Sequence, residues 1–271
     1  MDLLPTKLIK IIVSYCKFST QVKFTQINHF YCNNFPITDL LNIPKHLKDK
    51  LSNQIIQAYP KCQYLCAAYN IQINQSGIMN LTQLRELDCK GNSKINSVNH
   101  LTEFKILDVC FDCGIDQKGI EYCLKLKKLN CDNNTKINSV NHLTNLEILS
   151  AAGHCSIDQK EIQNCLKLKR LGCYRNSKIN SVNHLTNLEI LNSNMDRRNM
   201  DYGIDQKGIK NCLKLKELRC NWNAQINSVN HLTNLKILYA GGNCGIDEKG
   251  IQNWTHHTHY IVITTQFTYY I

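Results

Sequence analysis

Apolar residues recur along most of the chain at one fixed set of spacings, which predicts a repeated structural unit. The apolar positions of one such unit are Leu84, Leu87, Cys89, Ile95, Val98 and Leu101. Leu87 and Cys89 are two residues apart and therefore point to the same face of a strand. The later spacings of three fit a tight helical return. Each unit thus predicts one strand and one return, with an Asn such as Asn92 between them.

The same pattern occurs nine times and sets the predicted fold. The units begin at Cys62, Leu84, Phe104, Leu126, Leu146, Leu168, Leu188, Leu215 and Leu235. Their lengths alternate between 20 and 22 residues, with one exception of 27. A unit this short cannot bury its apolar side alone, so successive units must stack and share a core. The prediction is an α/β solenoid, an arc whose strands form a parallel sheet on the concave side, about 5 Å apart.

Two kinds of return alternate on the predicted convex side. The longer units contain an Asp that can cap a short helix, and Asp116 stands in this way before Ile120, Cys123 and Leu124, which are predicted to be buried. The equivalent caps are Asp158, Asp205 and Asp247. The longest unit carries an insertion at 195–202, predicted as a loop at the rim of the concave face. It is either part of a binding side or an insertion that the slow growth of loop entropy tolerates.

Residues before the repeats divide into two further segments. Residues 1–40 contain two predicted helices, and residues 41–61 contain one predicted linker helix that ends before Pro60. The apolar positions that indicate the linker helix are Leu47, Leu51, Ile55 and Ala58. The solenoid then occupies residues 62–271. Its last residues, from Tyr260 onward, are predicted to form one or two closing strands that seal the stack.

Composition indicates the cellular location expected for the protein and the role expected for its cysteines. The chain is 43% apolar and 20% charged, too apolar for wholesale disorder. No run of about 18 apolar residues and no signal peptide is apparent, so a cytoplasmic or nuclear location is expected. The 15 cysteines are odd in number, and they follow the repeat register. Cys89, Cys131, Cys173 and Cys220 share the second inward strand position, so these thiols are predicted to fill the core.

Charge and candidate chemistry exclude several function classes. The net charge of +11 suggests a nucleic-acid partner. The lysines, however, follow the repeated rim, and no basic groove lined by aromatic residues is apparent. Neither a nucleic-acid nor a membrane partner is expected. Cys110 and Cys113 form a C-x-x-C, but the two cysteines belong to separate columns of the repeat, so no metal is expected. The recurring His100, His142, His184 and His231 are expected to be structural. Without a phosphate loop, nucleophile elbow or carboxylate pair, no enzyme activity and no cofactor are expected.

Recognition is expected on the concave side, where strand positions flank the buried ones. The candidate target-binding residues are Glu86, Asp88, Ile106, Asp108, Lys128, Asn130, Ile148, Arg170, Tyr174, Ile190, Asn192, Glu217, Arg219, Ile237 and Tyr239. These positions vary from unit to unit while the scaffold barely does. A mixture of apolar spots and charges suits a protein surface as partner. The alternative is that free positions simply drift.

The repeat resembles the leucine-rich repeat, L-x-x-L-x-[LC]-x-x-N, and the N-terminal Leu-Pro with its two helices resembles the F-box. Together they resemble F-box/leucine-rich-repeat proteins of the divergent kind encoded by giant DNA viruses of amoebae. The resemblance implies a non-catalytic substrate-recognition subunit of an SCF-type ubiquitin ligase, monomeric outside the complex and located in the host cytoplasm. The residues implied to bind a Skp-type adaptor are Leu4, Pro5, Leu8, Ile12, Ile27 and Tyr31. The alternative is an interaction scaffold whose N-terminal helices only cap the solenoid.

Overall fold

A computed structural model describes residues 37–196 and 203–253, together with the backbone of residues 260–261. The two predicted N-terminal helices and all six adaptor-binding candidates, Leu4, Pro5, Leu8, Ile12, Ile27 and Tyr31, lie outside the described residues. So do positions 197–202 of the insertion and the closing segment beyond residue 261.

The described strands form one parallel sheet in which neighbours in sequence are neighbours in space. In chain order they are β1 (Asp39–Leu40), β2 (Tyr64–Cys66), β3 (Glu86–Asp88), β4 (Ile106–Asp108), β5 (Lys128–Asn130), β6 (Ile148–Ser150), β7 (Arg170–Gly172), β8 (Ile190–Asn192), β9 (Glu217–Arg219), β10 (Ile237–Tyr239) and β11 (Tyr260–Ile261). Each of the nine predicted unit starts lies two residues before a strand, β2 to β10. The predicted parallel solenoid is therefore confirmed.

The returns on the convex side are short. The α-helices are α1 (Lys45–Lys48), α2 (Asn53–Gln57) and α3 (Gln75–Ile78), and the 3-10 helices are Lys118–Ile120, Lys160–Ile162, Lys207–Ile209 and Lys249–Ile251. The predicted Asp caps are confirmed, since the Asp116 carboxylate accepts a hydrogen bond from the Gly119 N–H at 2.9 Å. Asp158, Asp205 and Asp247 accept equivalent bonds from the N–H three residues later. Within the described ranges, no helix has the length and apolar character to cross a bilayer.

The segment before the repeats differs from the sequence prediction in two ways. The single helix predicted within residues 41–61 is two short helices, α1 and α2. The break occurs because Ser52 adopts an extended conformation and its hydroxyl accepts a hydrogen bond from the Ile55 N–H at 3.4 Å, which starts a new helix. The sheet also begins earlier than Cys62, because Leu40 in β1 pairs with Leu65 in β2 and is fully buried.

The prediction that Leu124 is buried was wrong. Its side chain is 53% exposed, while Cys123 beside it is buried. The repeat register explains the difference, because Leu124 occupies the position that Thr144 occupies one unit later, and Thr144 is exposed. Leu166 and Leu213, at the same position in later units, are also about half exposed.

The core is a continuous ladder of leucines, cysteines and asparagines. The central residue of each strand from Leu65 to Leu238 is buried, and so are Cys89, Cys131, Cys173 and Cys220, which confirms that these thiols fill the core. Three of them lie against a second thiol, with Sγ–Sγ distances of 3.4 to 3.6 Å. The four buried asparagines are Asn92, Asn134, Asn176 and Asn223. Their carboxamides donate hydrogen bonds to backbone carbonyls of the preceding unit.

Candidate functional site

Two columns of side chains flank the buried leucines and lie on the concave face of the sheet. The first column, in register from β3 to β10, is Glu86, Ile106, Lys128, Ile148, Arg170, Ile190, Glu217 and Ile237. The second is Asp88, Asp108, Asn130, Ser150, Gly172, Asn192, Arg219 and Tyr239. All the predicted target-binding residues except Tyr174 belong to these columns, and Tyr174 lies two residues beyond β7 on the same face. The sheet therefore gathers every one of them on one surface.

The first column alternates apolar and charged side chains. Isoleucines occupy every second strand, about 10 Å apart, and each is only partly buried. Between them stand Glu86, Lys128, Arg170 and Glu217. The result is a row of separate apolar spots among charges, a composition that fits a polypeptide surface better than a small apolar ligand.

The end of the face near β3 and β4 is acidic. Burial raises the pKa of the Asp88 carboxyl, and the negative charge of Asp108 on the next strand adds to the rise. Burial also raises the pKa of Glu86. Asp108 accepts a hydrogen bond from the Asn130 carboxamide at 2.9 Å, but within the described residues neither aspartate forms an ion pair. These carboxylates can therefore accept a cationic group from a partner.

The part of the face from β7 to β10 carries arginines stacked on tyrosines. The Arg219 guanidinium lies 4.7 Å from the centre of the Tyr239 ring, and its Nε donates to Glu217 at 2.6 Å. Arg175 lies 4.8 Å from the ring of Tyr174. Arginine and tyrosine held in fixed positions are the residue types that most often dominate protein interfaces.

A turn that follows each strand supplies large side chains that the sequence analysis missed. At this turn Tyr69, Phe111 and Trp222 adopt the left-handed conformation, with φ between 54° and 60°. Bulky residues seldom adopt it, because it costs roughly 1–2 kcal/mol for a residue with a Cβ. Tyr69 is 63% exposed and Phe111 is 43% exposed. The signal was present in the column, where Tyr69 and Trp222 are each followed one unit later by a glycine.

Two glycines of this column accommodate an aromatic side chain of the preceding unit. A Cβ on Gly242 would lie 2.4 Å from the Trp222 ring, and one on Gly91 would lie 2.3 Å from the Tyr69 ring. Both glycines also have a positive φ, at 67° and 62°. Each ring therefore lies over the glycine of the following turn, which fixes its position at the rim of the concave face.

Replacing Gly242 with Ala is expected to destabilise the chain by about 2–3 kcal/mol, since the new Cβ meets both an unfavourable φ and the indole ring. The change should also move the ring of Trp222 and alter tryptophan fluorescence. Denaturant unfolding followed by circular dichroism and fluorescence measures both effects.

The matched control is the double variant Trp222→Gly with Gly242→Ala. Removing the ring relieves the clash, so the Gly242→Ala substitution should destabilise this background less than it destabilises the wild type. The cost that is left is mainly that of the positive φ at residue 242. Equal costs in the two backgrounds would contradict the close approach of ring and glycine.

The histidines and cysteines that were considered as candidate sites either have structural roles or are separated from one another. The four repeated histidines lie within 3.2 to 3.3 Å, through Nε2, of carbonyl oxygens in the preceding unit, which fits the predicted structural role. Cys113 lies beside Cys89 in the core, whereas Cys110, also buried, lies against Asp108 of the second concave column, as the separate columns predicted. Among residues 37–196 and 203–253, no three His, Cys, Asp or Glu side chains come together as metal ligands.

Comparison with known proteins finds similarity in structure. The chain is similar to the internalin InlF from Listeria monocytogenes, with 21% identity and a TM-score of 0.56, over 73% of this chain and 59% of that one. The functional domain of InlJ from the same bacterium, which includes a cysteine ladder, is 24% identical with a TM-score of 0.50, over 70% of this chain and 41% of that one. A chain of the yeast Rad7–Elc1 complex is 12% identical with a TM-score of 0.50, over 78% of this chain and 65% of that one.

The chain thus spans 59% and 41% of the length of the two Listeria proteins. No family model and no curated protein sequence matches it. The structural neighbours, the parallel sheet and the L-x-x-L-x-[LC]-x-x-N register agree with one another. The chain therefore has the leucine-rich-repeat solenoid fold.

Proposed function

We propose that the chain is a non-catalytic recognition subunit that holds a target protein on its concave face and joins an SCF-type ubiquitin ligase through its N-terminal helices. The observation that carries the binding role is the contrast between the two sides of each strand. The central leucine is the same in every unit from β2 to β10, while the flanking concave positions differ in charge, size and aromatic character. Extended faces of this kind are what solenoids present to partners.

The composition of the face supports a protein target. It joins carboxylates near β3 and β4 that form no ion pair within the described residues, isoleucines on every second strand, and arginines stacked on tyrosines from β7 to β10. The left-handed Tyr69, Phe111 and Trp222 add aromatic area at the rim, at an energetic cost that a purely structural turn would avoid with glycine.

The ligase role rests on the F-box resemblance of the N-terminal segment. The residues that carry it are Leu4, Pro5, Leu8, Ile12, Ile27 and Tyr31. A chain of similar fold was solved within the yeast Rad7–Elc1 complex, consistent with a repeat solenoid that works beside a second subunit. The competing role is an interaction scaffold in which the N-terminal helices only cap the stack.

Proximity labelling in the native host cell tests both halves of the proposal at once. The wild type should label a Skp-type adaptor and a target. Leu8→Asp should lose the adaptor by at least about tenfold and keep the target, because a charge replaces an apolar docking residue. The pair Lys128→Glu and Arg170→Glu, two exposed residues of the concave face, should lose the target and keep the adaptor.

The control is Lys118→Glu with Lys160→Glu. It makes the same charge change on the convex returns of the units that precede those of Lys128 and Arg170, and it should leave the binding of both partners unchanged. Failure of the wild type to label an adaptor, with the target retained, would favour the scaffold. Loss of the target in the convex control but not in the concave pair would contradict the binding face.

A further inference from the structure

The parallel register gathers an excess of positive charge at one edge of the sheet, where the strands begin. The first and third positions before strands β2 to β10 form this basic edge. Its basic residues are Lys61, Arg85, Lys105, Lys125, Lys127, Lys167, Lys169, Lys214, Lys216 and Lys236, and its acidic residues are Glu103, Glu147 and Glu189. Ten positive against three negative side chains accounts for most of the net charge of +11.

Backbone hydrogen bonds fix these residues as neighbours. The Lys127 N–H donates to the Lys105 carbonyl at 2.8 Å, and the Lys105 N–H donates to the Arg85 carbonyl at 2.9 Å. The same ladder continues to the last unit, where the Lys236 N–H donates to the Lys216 carbonyl at 2.8 Å. The sequence shows a lysine in nearly every unit, whereas the structure shows that these lysines line a single edge.

The three glutamates cannot neutralise this edge. Glu103 pairs with Lys125, Glu147 bridges Lys127 and Lys169, and Glu189 pairs with Lys216. The remaining basic residues that form no ion pair with a carboxylate in the described part of the chain are Arg85, Lys105, Lys167, Lys214 and Lys236. Lys167 and Lys214 instead donate to the side-chain oxygens of Asn145 and Asn187, at 2.7 Å each. The edge therefore keeps a positive potential that an anionic partner can neutralise.

A row of exposed leucines runs beside the lysines. Leu124, Leu166 and Leu213 are 53%, 54% and 52% exposed, and they occupy the fourth position before β5, β7 and β9. Their spacing is therefore about 10 Å, two strands apart. Their carbonyls accept hydrogen bonds from asparagine carboxamides of the next unit at 2.8 to 3.1 Å, which holds the three backbones alike. The shorter units carry threonine at this position.

Leucine beside lysine fits one kind of anionic partner better than the others. Nucleic acid is bound through phosphates and stacked bases, to which aliphatic side chains contribute little. An acidic protein would need three apolar pockets at the same spacing. The interfacial region of a bilayer accepts apolar side chains at any spacing and places anionic headgroups beside them, while lysine side chains reach the headgroups.

We propose that the basic edge binds the surface of membranes that contain anionic phospholipids, with Leu124, Leu166 and Leu213 entering the interfacial region. The proposal replaces the sequence-based expectation of no membrane partner. It is independent of the concave face, which stays available for a protein.

Vesicle co-sedimentation with the full chain tests the proposal. Vesicles of phosphatidylcholine alone are compared with vesicles that contain about 30% phosphatidylserine, at about 0.1 M and about 0.5 M salt. Binding should be at least about tenfold stronger to the anionic vesicles and should weaken at the higher salt. Equal binding to both vesicles, or none to either, would overturn the proposal.

Three variants separate lipid binding from general attraction of anions. Leu124→Thr with Leu166→Thr and Leu213→Thr installs the residue of the neighbouring units and should weaken vesicle binding about tenfold or more. Lys125→Glu with Lys167→Glu and Lys214→Glu should weaken it at least about 100-fold. Lys118→Glu with Lys160→Glu and Lys207→Glu makes the same charge change on the convex returns and should weaken it far less.

The leucine variant decides between lipid and other anions. Unchanged vesicle binding after the three threonine substitutions would overturn the proposal, as would binding of a duplex oligonucleotide as tight as that of the anionic vesicles. Because the three leucines are half exposed, thermal unfolding of this variant should match the wild type within a few degrees. A convex control that loses as much vesicle binding as the edge variant would also overturn the assignment.

Discussion

Raising the pH from 8 to 10 is expected to destabilise the folded chain by about 5 kcal/mol. Burial raises the pKa of the thiols of Cys62, Cys123, Cys165 and Cys173 from 9.0 to about 12. In the unfolded chain these thiols lose their protons near pH 9, whereas the folded chain keeps them. Their contribution is therefore complete below about pH 9 and is lost as the pH rises toward 12, at about 1.4 kcal/mol per thiol for each pH unit.

Denaturant unfolding at pH 7, 8, 9 and 10 under reducing conditions measures the loss. Other groups also titrate in this range, so the matched variant is Cys165→Ala. Its stability at pH 7 falls because a buried group is removed, but its slope between pH 9 and 10 should be shallower than the wild-type slope by about 1 kcal/mol per pH unit, since the unfolded thiol is only half ionised at pH 9. Identical slopes in the two proteins would assign the alkaline loss to groups other than the buried thiols.

The arrangement of the core was predictable because one rule fixes every unit. Leu87, Leu129 and Leu171 recur at the same offset from each unit start, and side chains two apart on a strand share a face. Stacking then follows from the inability of one short unit to bury its apolar side. The same register assigns Cys110 and Cys113 to different columns, so it predicts the positions of these thiols as well as those of the leucines.

The left-handed aromatics could not be predicted from apolar periodicity. Tyr69, Phe111 and Trp222 occupy a turn where backbone conformation, rather than burial, is fixed by the stack. A glycine one unit after Tyr69 and one unit after Trp222 was the only signal, and it becomes informative once the ring of Trp222 is seen to lie over Gly242. The positions of the concave columns were predictable, because side chains alternate between the two faces of a strand. The partner that binds them depends on chemistry outside the chain.

The basic edge shows a different limit of sequence reasoning. A lysine in each of several units is compatible with lysines scattered around the rim or with lysines in one continuous band. Only the direction in which the units stack distinguishes the two arrangements. The parallel register places Lys127 beside Lys105 and Lys236 beside Lys216. Leu124 was misjudged for a related reason, since local helical spacing indicated burial while its column, shared with Thr144, indicated exposure.

Replacing Asn92 with Ala is expected to destabilise the chain by about 3–5 kcal/mol. The Asn92 carboxamide nitrogen donates to the carbonyls of Ala67, Asn70 and Ile73 at 2.8 to 3.0 Å, and its oxygen accepts from the Lys94 N–H at 2.9 Å. Alanine leaves these backbone groups without their partner in a core where Asn92 is fully buried. Each buried polar group that loses its hydrogen bond costs about 1–3 kcal/mol. Thermal and denaturant unfolding measure the loss.

Two further variants separate hydrogen bonding from packing. Asn96→Ala changes an exposed asparagine of the same unit and should alter stability by less than about 0.5 kcal/mol. Asn134→Ala changes an equally buried asparagine that donates to one carbonyl of the preceding unit, that of Val109 at 2.7 Å, rather than to three, and whose oxygen accepts from the Lys136 and Ile137 N–H groups of its own unit. If hydrogen bonds to the preceding unit hold the stack, Asn92→Ala must cost more than Asn134→Ala. Equal costs would mean that the asparagine column acts through packed volume, and that the coupling between units lies in the leucines alone.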